Sequence, residues 1–527
     1  MKPFMNHRET KLWGVLLIST LLLTIVVMEP LNSDNAIYQS MALRLVQSGK
    51  IPYLGSWAHN FPGMVYLQAL AILLFGPTDI GLRLFDVFVE LLFVAFFYRF
   101  LLRWLAPHTA ALAAVLYVLY YVTAGPSNYT ELDIYCTMEV FLAFWILERQ
   151  AASTASRFTL NATAGLIVGL AILMRPTSVF FLGIFGIYFL LNEDLRLSIH
   201  AIPLAICFIA FGLVPLSLTA LYYSTIPNGL SSFYSSSILF NLDLYTHLPS
   251  MGSFWWELLR NGFMIIFAFL AVLPSQSLPS TFVIHKPSVR MMSLYLICLT
   301  SALLVILLMD KFIRYQYAPF FMFLIPLTAI GIERIINKIR MPVRRHYAML
   351  VCCFLCTVIT FNPKTPIAFA LGLLQGVNPF RFTYEIRNND PRWGAEQESR
   401  LLSFLHQHKN GNNRVAVCSF DPLLSLHVDS LVGPYTTFTP LALRLNGYGK
   451  GKPEFTDYQI EWQRTYMDTL CQSKPGFIVL ARGMRFAYVK DVYDDCLHYL
   501  AGFDSLLSTS YRYDTTFGVF QVFRRTP

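Results

Sequence analysis

The chain has 527 residues, of which 55% are hydrophobic and only 13% charged, with a mean hydropathy of +0.51. A soluble globular domain carries about 25% charged residues, so a single water-soluble core is excluded and many buried spans are implied. The formal charge of +9 raises nucleic acid as a partner, but most of the basic residues sit in short loops between apolar stretches, which points to a lipid bilayer and to no nucleic acid. Aromatic residues at 15%, with 44 Phe and 28 Tyr, suit lipid-facing helices and interfacial belts.

The N-terminus begins with a short basic segment ending at Lys11, then runs apolar to Met28. No small-residue cleavage site follows, so this is the first transmembrane helix rather than a removed signal. A spanning helix needs ~20 mostly apolar residues. Candidates in chain order are 12–29, 80–102, 109–124, 134–147, 160–174, 177–191, 200–223, 255–274, 291–309, 315–333 and 347–361, about eleven spans on that length criterion. Phe61–Phe75 is apolar but short, which reads as a re-entrant or surface segment. Ile367–Leu374 reads as interfacial.

Lys and Arg set the orientation. With the N-terminus in the cytoplasm, the segments 1–11, 99–108, 148–159, 192–199, 275–290 and 334–346 are cytoplasmic and hold fifteen Lys or Arg, among them Arg340, Arg344 and Arg345. The opposite loops hold five: Arg44, Lys50, Arg175, Lys311 and Arg314. This places 30–79, 125–133, 224–254 and everything after about 362 on the non-cytoplasmic side of an inner (plasma) membrane.

From about 385 the chain changes character. Glu396–His408 has the spacing of an amphipathic helix, and Val489–Leu500 also reads as a helix. Arg414–Phe420 and Gly476–Ala481 read as short buried strands, and Thr516–Arg524 as a final strand. Helices alternating with short apolar strands indicate a small α/β domain. The expected organisation is therefore a transmembrane catalytic domain at 1–361, an interfacial linker at 362–384 and an extracytoplasmic α/β domain at 385–527. Of nine cysteines, Cys418, Cys471 and Cys496 fall in this tail, where an oxidising compartment would allow one disulfide.

Acidic residues near the outer membrane face are costly and are functional candidates. Asp34 follows the first span and opens a segment, Ala36–Ser48, with helical apolar spacing, read as an interfacial amphipathic helix. The plain alternative is that Asn32, Ser33 or Asp34 only caps that helix. Glu131 and Asp133 share the short second outer loop, and Asp133 could equally start the next span. Arg175 lies at a tight outer turn and Arg314 at another outer end. Both suit bidentate phosphate binding, and both suit snorkelling to headgroups. His59, in the first outer loop, is positioned to touch substrate. Asp86 and Glu90, one helical turn apart in the second span, read as partners of polar neighbours. No HExxH, Walker or GxGxxG pattern occurs.

The order of these features carries a resemblance. An acid heads an outer helix, and Gly49-Lys50-Ile51-Pro52-Tyr53, His59-Asn60-Phe61-Pro62-Gly63, Phe75-Gly76 and Arg83-Leu84 follow. Gly169–Pro176 is similar to a "GLA..(K/R)P" turn, and Arg314-Tyr315 followed by Pro319 to a late "R-Y...P" motif. Over roughly residues 10–335 the chain resembles the GT-C superfamily of membrane glycosyltransferases, in its protein O-mannosyltransferase and lipid A aminoarabinose transferase-like branch. The resemblance implies a polyprenyl-phosphate-sugar donor, a hydroxyl acceptor and an inverting transfer on the outer face. It gives Asp34 the role of general base, although Asn35 stands where many members have a second acid. Glu131 and Asp133 match a second-loop acidic site. With Asp34 they would be the ligands of a divalent metal where one is used, although no cofactor is required. Arg314, with Tyr315 beside it, and Arg175 would serve the phosphate.

Two other classes compete. A lipid-linked glycan transporter would show ionisable residues within spans and pseudo-symmetric halves. An O-antigen-type polymerase or ligase would rely on outer-loop arginines, without the early Asp or the terminal α/β domain.

Overall fold

In the computed structural model the described residues are 7–27, 29, 31–126, 128–148, 153–190, 201–248, 250, 252–273, 289–339, 341–358, 370–376, 395–408, 414–428, 431–447, 452–483 and 491–526. The expected linker 362–384 is described only at 370–376. The loop at 192–199, most of 275–290, and Arg340 lie outside the described residues.

The helices in chain order are α1 (His7–Val27), α2 (Ser33–Ser48), α3 (Gly63–Phe75), α4 (Asp79–Leu101), α5 (Pro107–Ala124), α6 (Leu132–Leu147), α7 (Thr154–Met174), α8 (Val179–Leu190), α9 (Ile202–Ser224), α10 (Gly229–Tyr234), α11 (Phe254–Arg260), α12 (Gly262–Val272), α13 (Val289–Met309), α14 (Ala318–Asn337) and α15 (Pro342–Val358). Among the described residues, each apolar stretch expected to span is mainly helical, with a break inside 255–274. Among the described residues, six helices are long and apolar enough to cross a membrane, or up to seven if α11 and α12, bent by 73°, form one broken span. The chain is therefore a multi-pass membrane protein. Helices such as α6, with 16 residues, fall short of the ~20 that a full crossing asks for.

The chain divides into two compact units: Met1–Glu29, Thr78–Ala220 and Pro249–Phe380 in the first, and Pro30–Pro77, Leu221–Leu248 and Arg381–Pro527 in the second. The first unit is a helical bundle with an aromatic core. Phe93, Phe97, Phe100, Phe141 and Phe144 pack on one another, and Phe141 stacks on Phe323 of α14 at 4.5 Å. Two helix crossings bring backbones together through glycine. A Cβ at Gly331 of α14 would lie 1.8 Å from the Phe267 carbonyl oxygen of α12. Cβ atoms at Gly165 and Gly169 of α7 would lie 2.3 and 2.4 Å from the carbonyl oxygens of Phe208 and Gly212 of α9. Apolar packing against lipid-like neighbours gives no net hydrophobic drive, so such close approach carries the association. Polar ties add to it. Thr328 donates to the Met264 carbonyl at 3.0 Å, and Arg334 donates to Leu270 and Leu273 at 2.7 and 2.9 Å, closing the C-terminal end of α12. Buried Glu333 accepts from Thr109 and pairs with His108 at the start of α5.

The second unit gathers three separated stretches around one core. Trp57, Phe240 and Leu244 are buried together with the apolar residues of the tail. The tail forms a four-stranded sheet in the order β1-β2-β4-β3, with β1 (Val415–Cys418), β2 (Phe477–Ala481), β3 (Tyr511–Phe517) and β4 (Phe520–Arg525). β1 and β2 are parallel and fully buried, as their continuous apolar runs demand. The helix Asp457–Ser473 lies between them in sequence, opened by a Thr456–Gln459 capping box. β4 is antiparallel to β2 and to β3. The sequence reading of one last strand over 516–524 is corrected to a hairpin: Phe517 pairs with Phe520 across a two-residue loop, with Gly518 at φ 56°, the left-handed first position that such turns ask of glycine. The expected helix 489–500 is likewise two short pieces, Val492–Asp495 and Leu497–Tyr499, with 489–490 outside the described residues. All nine cysteines are free.

α2 packs against α3 and against the tail helix Pro422–His427. Residues 35–42 are all buried, so the N-terminal half of α2 is enclosed by protein rather than lying amphipathically on an interface. Arg44 fastens it, donating to the carbonyls of Gly55 and Gly433 at 2.9 and 2.8 Å. α3, at 13 residues, exposes Leu70, Leu73 and Leu74.

A Val at position 331 would have to separate α12 from α14. Gly331→Val is expected to lower the stability of the detergent-solubilised protein by about 1–3 kcal/mol, read as an earlier thermal transition. In the tail, the carboxyls of Glu398 and Asp421 are buried and hydrogen-bonded to each other. Burial, and then the neighbouring Asp421, push Glu398 up to about 9, and burial raises Asp421 as well. A raised folded-state value contributes stability that is complete below the unfolded value and is lost as pH climbs through the folded one. Thermal melts should therefore fall from pH 5 to pH 9 in the wild type, and Glu398→Gln should flatten that fall.

Candidate active site

In the first unit the carboxylate loop 125–131 joins α5 to α6. Thr130 is a β-branched residue at φ 59°, a backbone state costing about 1–3 kcal/mol that persists only where neighbours impose it. Those neighbours are on α4 and α5. Arg83, fully buried, donates from Nη1 to Thr130 Oγ1 at 2.8 Å and from Nε to the Glu29 carbonyl at 3.1 Å. The Thr130 N–H donates to the Tyr121 hydroxyl at 3.2 Å. Asp86 accepts from Tyr121 at 2.6 Å and from Tyr135 at 2.7 Å, and Glu90 accepts from Tyr117 at 2.7 Å. The expectation that Asp86 and Glu90 pair with polar neighbours is met by tyrosines.

From Thr130 the chain enters α6, with buried Glu131 at its N-cap position and Asp133 in its first turn. Asp133 pairs with Arg175 across 3.2 Å, and both are buried. Arg175 also donates from Nη2 to Met309 Sδ at 3.4 Å. It is therefore held inside the protein and does not snorkel.

Immediately after Met309, Asp310 and Phe312 both have left-handed backbones, at φ 48° and 51°, flanking buried Lys311. Burial lowers Lys311 while Asp310 pulls it back up. Gly252 sits against the Phe312 carbonyl, where a Cβ would meet the oxygen at 2.3 Å. This strained loop delivers half-buried Arg314 and Tyr315. Arg314 lies within electrostatic range of Arg260, Glu257, Tyr120 and Tyr129, and the Tyr129 ring also lies under Arg83, 5.5 Å from its guanidinium carbon. The first unit thus brings the carboxylate loop, Asp133–Arg175 and the Arg314 loop into one neighbourhood.

Arg260 was missed by sequence reasoning because it sits inside the apolar stretch 255–274. The helix breaks there, between α11 and α12, and Arg260 pairs with Glu257 at 2.9 Å. A charge in an otherwise apolar stretch was the available signal.

Asp34 and His59 belong to the second unit. Asn32 is the N-cap of α2, its side chain accepting from the Asn35 N–H at 2.7 Å. Asp34 stands in the first turn, half-exposed, and is not the capping residue. Tyr38, one turn further along α2, accepts a hydrogen bond from the Asn60 amide. The adjacent His59 stacks on Tyr245 with ring centroids 5.1 Å apart, and its carbonyl accepts from Asn241 at 2.5 Å. Asn241 and Tyr245 lie in one of two successive π-helical turns, Ser235–Leu239 and Asn241–Tyr245. Such turns are rare and concentrate at functional sites. The His59 loop and the face of α2 that carries Asp34 are therefore tied together. Among the described residues, no group of three or more His, Cys, Asp or Glu is gathered to hold a metal ion.

Removing one partner of a buried ion pair strands the other. Arg175→Gln is expected to cost about 3 kcal/mol or more, and Asp133→Asn/Arg175→Gln to recover most of it, as read by thermal unfolding in detergent.

Three comparisons bear on this site. Residues 59–222 match the family described as dolichyl-phosphate-mannose-protein mannosyltransferase. The search of curated proteins finds no match. Among solved structures, ArnT from Cupriavidus metallidurans bound to undecaprenyl phosphate is 13% identical and aligns over 97% of both chains with a TM-score of 0.58. The oligosaccharyltransferase AglB from Archaeoglobus fulgidus, in complex with an inhibitory peptide and a dolichol-phosphate, is 10% identical and aligns over 98% of this chain and 74% of its own, with a TM-score of 0.50. This likeness runs through almost the whole chain, which therefore shares the fold of these two proteins.

Proposed function

We propose that the protein is a membrane glycosyltransferase that moves a sugar from a polyprenyl-phosphate donor to a hydroxyl acceptor on the non-cytoplasmic face of the inner membrane, with inversion. The observation that carries this reading is the GT-C fold along the whole chain, aligned with ArnT in a structure bound to undecaprenyl phosphate, together with a half-exposed acid, Asp34, in the first turn of α2. The N-terminus is cytoplasmic, and α2, α3, the 224–254 segment and the tail face outside.

The chemistry needs few groups. The acceptor hydroxyl attacks the anomeric carbon, the bond from that carbon to the phosphate oxygen breaks, and polyprenyl phosphate leaves. Asp34 takes the hydroxyl proton as general base. Asn32 already caps α2, which supports a role for Asp34 other than capping. Charge developing on the departing phosphate is stabilised by Arg314, with Tyr315 next to it and Arg260 close by. Arg175 is engaged by Asp133, which supports ranking Arg314 ahead of it for the phosphate. Glu131 and His59 orient the acceptor.

Release of sugar from a panel of polyprenyl-phosphate monosaccharides, with acceptor-containing membrane extract, tests the reading. Asp34→Asn should lower turnover about 10²-fold or more, with an unchanged thermal transition. Equal turnover by wild type and variant would remove Asp34 from the mechanism.

A further inference from the structure

Thr130 is the backbone switch between α5 and the carboxylates at the head of α6. Its left-handed φ of 59° is one that a β-branched residue does not hold unaided. Three groups impose it. Arg83 donates to its hydroxyl, the Thr130 hydroxyl is also hydrogen-bonded to Asp86, and the Tyr121 hydroxyl accepts its N–H. Tyr121 in turn donates to Asp86, whose other oxygen accepts from Tyr135 of α6. Both sides of the turn, α5 and α6, are thus referred to one carboxylate on α4. Arg83 and Asp86 are fully enclosed and Thr130 is 2% exposed, so no solvent relaxes the arrangement. The next residue is Glu131, and Asp133 follows two further on. A turn that relaxed to φ < 0 at Thr130 would redirect both.

We propose that Arg83, Asp86 and Tyr121 are positioning residues that lock Thr130 in the left-handed state and so aim Glu131 at the acceptor and Asp133 at Arg175. The locking stands on geometry, and the consequence for turnover rests on the transferase reading above.

The two halves are tested separately on the full chain in nanodiscs. Tyr121→Phe keeps the ring and removes the hydroxyl. Hydrogen exchange should rise about tenfold or more in peptides covering 126–135, with little change elsewhere in α5 and in the melting temperature. Turnover of an undecaprenyl-phosphate monosaccharide should fall about tenfold or more, with the donor KM within about twofold. Thr130→Gly in the Tyr121→Phe background should recover most of the turnover, because glycine adopts φ > 0 without a clamp. A role confined to packing or charge would not be rescued by that change.

Unchanged exchange in Tyr121→Phe, or faster exchange with undiminished turnover, overturns the proposal. So does the absence of rescue in a folded double variant. If wild type consumes no donor, the transferase reading fails, and the exchange arm still decides whether the lock exists.

Discussion

A charged side chain withdrawn from water must be met by protein groups, because lipid offers none. The first unit is organised around that constraint. Arg83 and Asp86 are both fully buried, and their donors and acceptors come from Glu29 just after α1, from α5 and α6, and from the turn at Thr130. Each tyrosine hydroxyl in the network fills a lone pair that would otherwise be stranded. The network fixes a register between helices that apolar packing alone would leave free to slide. Asp133–Arg175 does the same between α6 and the end of α7.

In the first unit Thr130, Asp310 and Phe312 adopt left-handed conformations that non-glycine residues avoid, next to Glu131 and close before Arg314. Held conformations of this kind persist only where the surrounding structure imposes them. The glycine contacts at Gly331 and Gly252 each let one backbone sit against another without an intervening side chain.

The second unit follows a different rule. Its core is built from residues far apart in sequence, with Trp57 and Phe240 among the tail's own apolar side chains. α2, the helix that carries Asp34, packs against the tail helix Pro422–His427. Trp57 N–H donates to the Pro434 carbonyl at 3.1 Å, and Arg44 reaches the Gly433 carbonyl. A segment that composition assigns to the membrane surface is in this way made part of a folded body.

The positions of the helices were legible from apolar length alone, because a backbone in lipid must satisfy its hydrogen bonds within its own segment and can do so only as helix. β1 and β2 were legible for a related reason: short continuous apolar runs between polar flanks have no other buried solution. The candidate residues were visible as well, since an acid or arginine beside a membrane-length stretch is costly enough to be conspicuous. What the charges do was decided only in three dimensions. Arg175 and Asp133 meet across forty-two positions, the difference of their numbers. Arg260 emerges from an apolar stretch because α11 and α12 break. Asn32, and not Asp34, caps α2. The last strand is a hairpin because Gly518 turns it back on itself. Periodicity reports which face of an element is buried, whereas long-range partners are selected by packing and by the need to satisfy every buried charge. Neither leaves a local trace in the sequence.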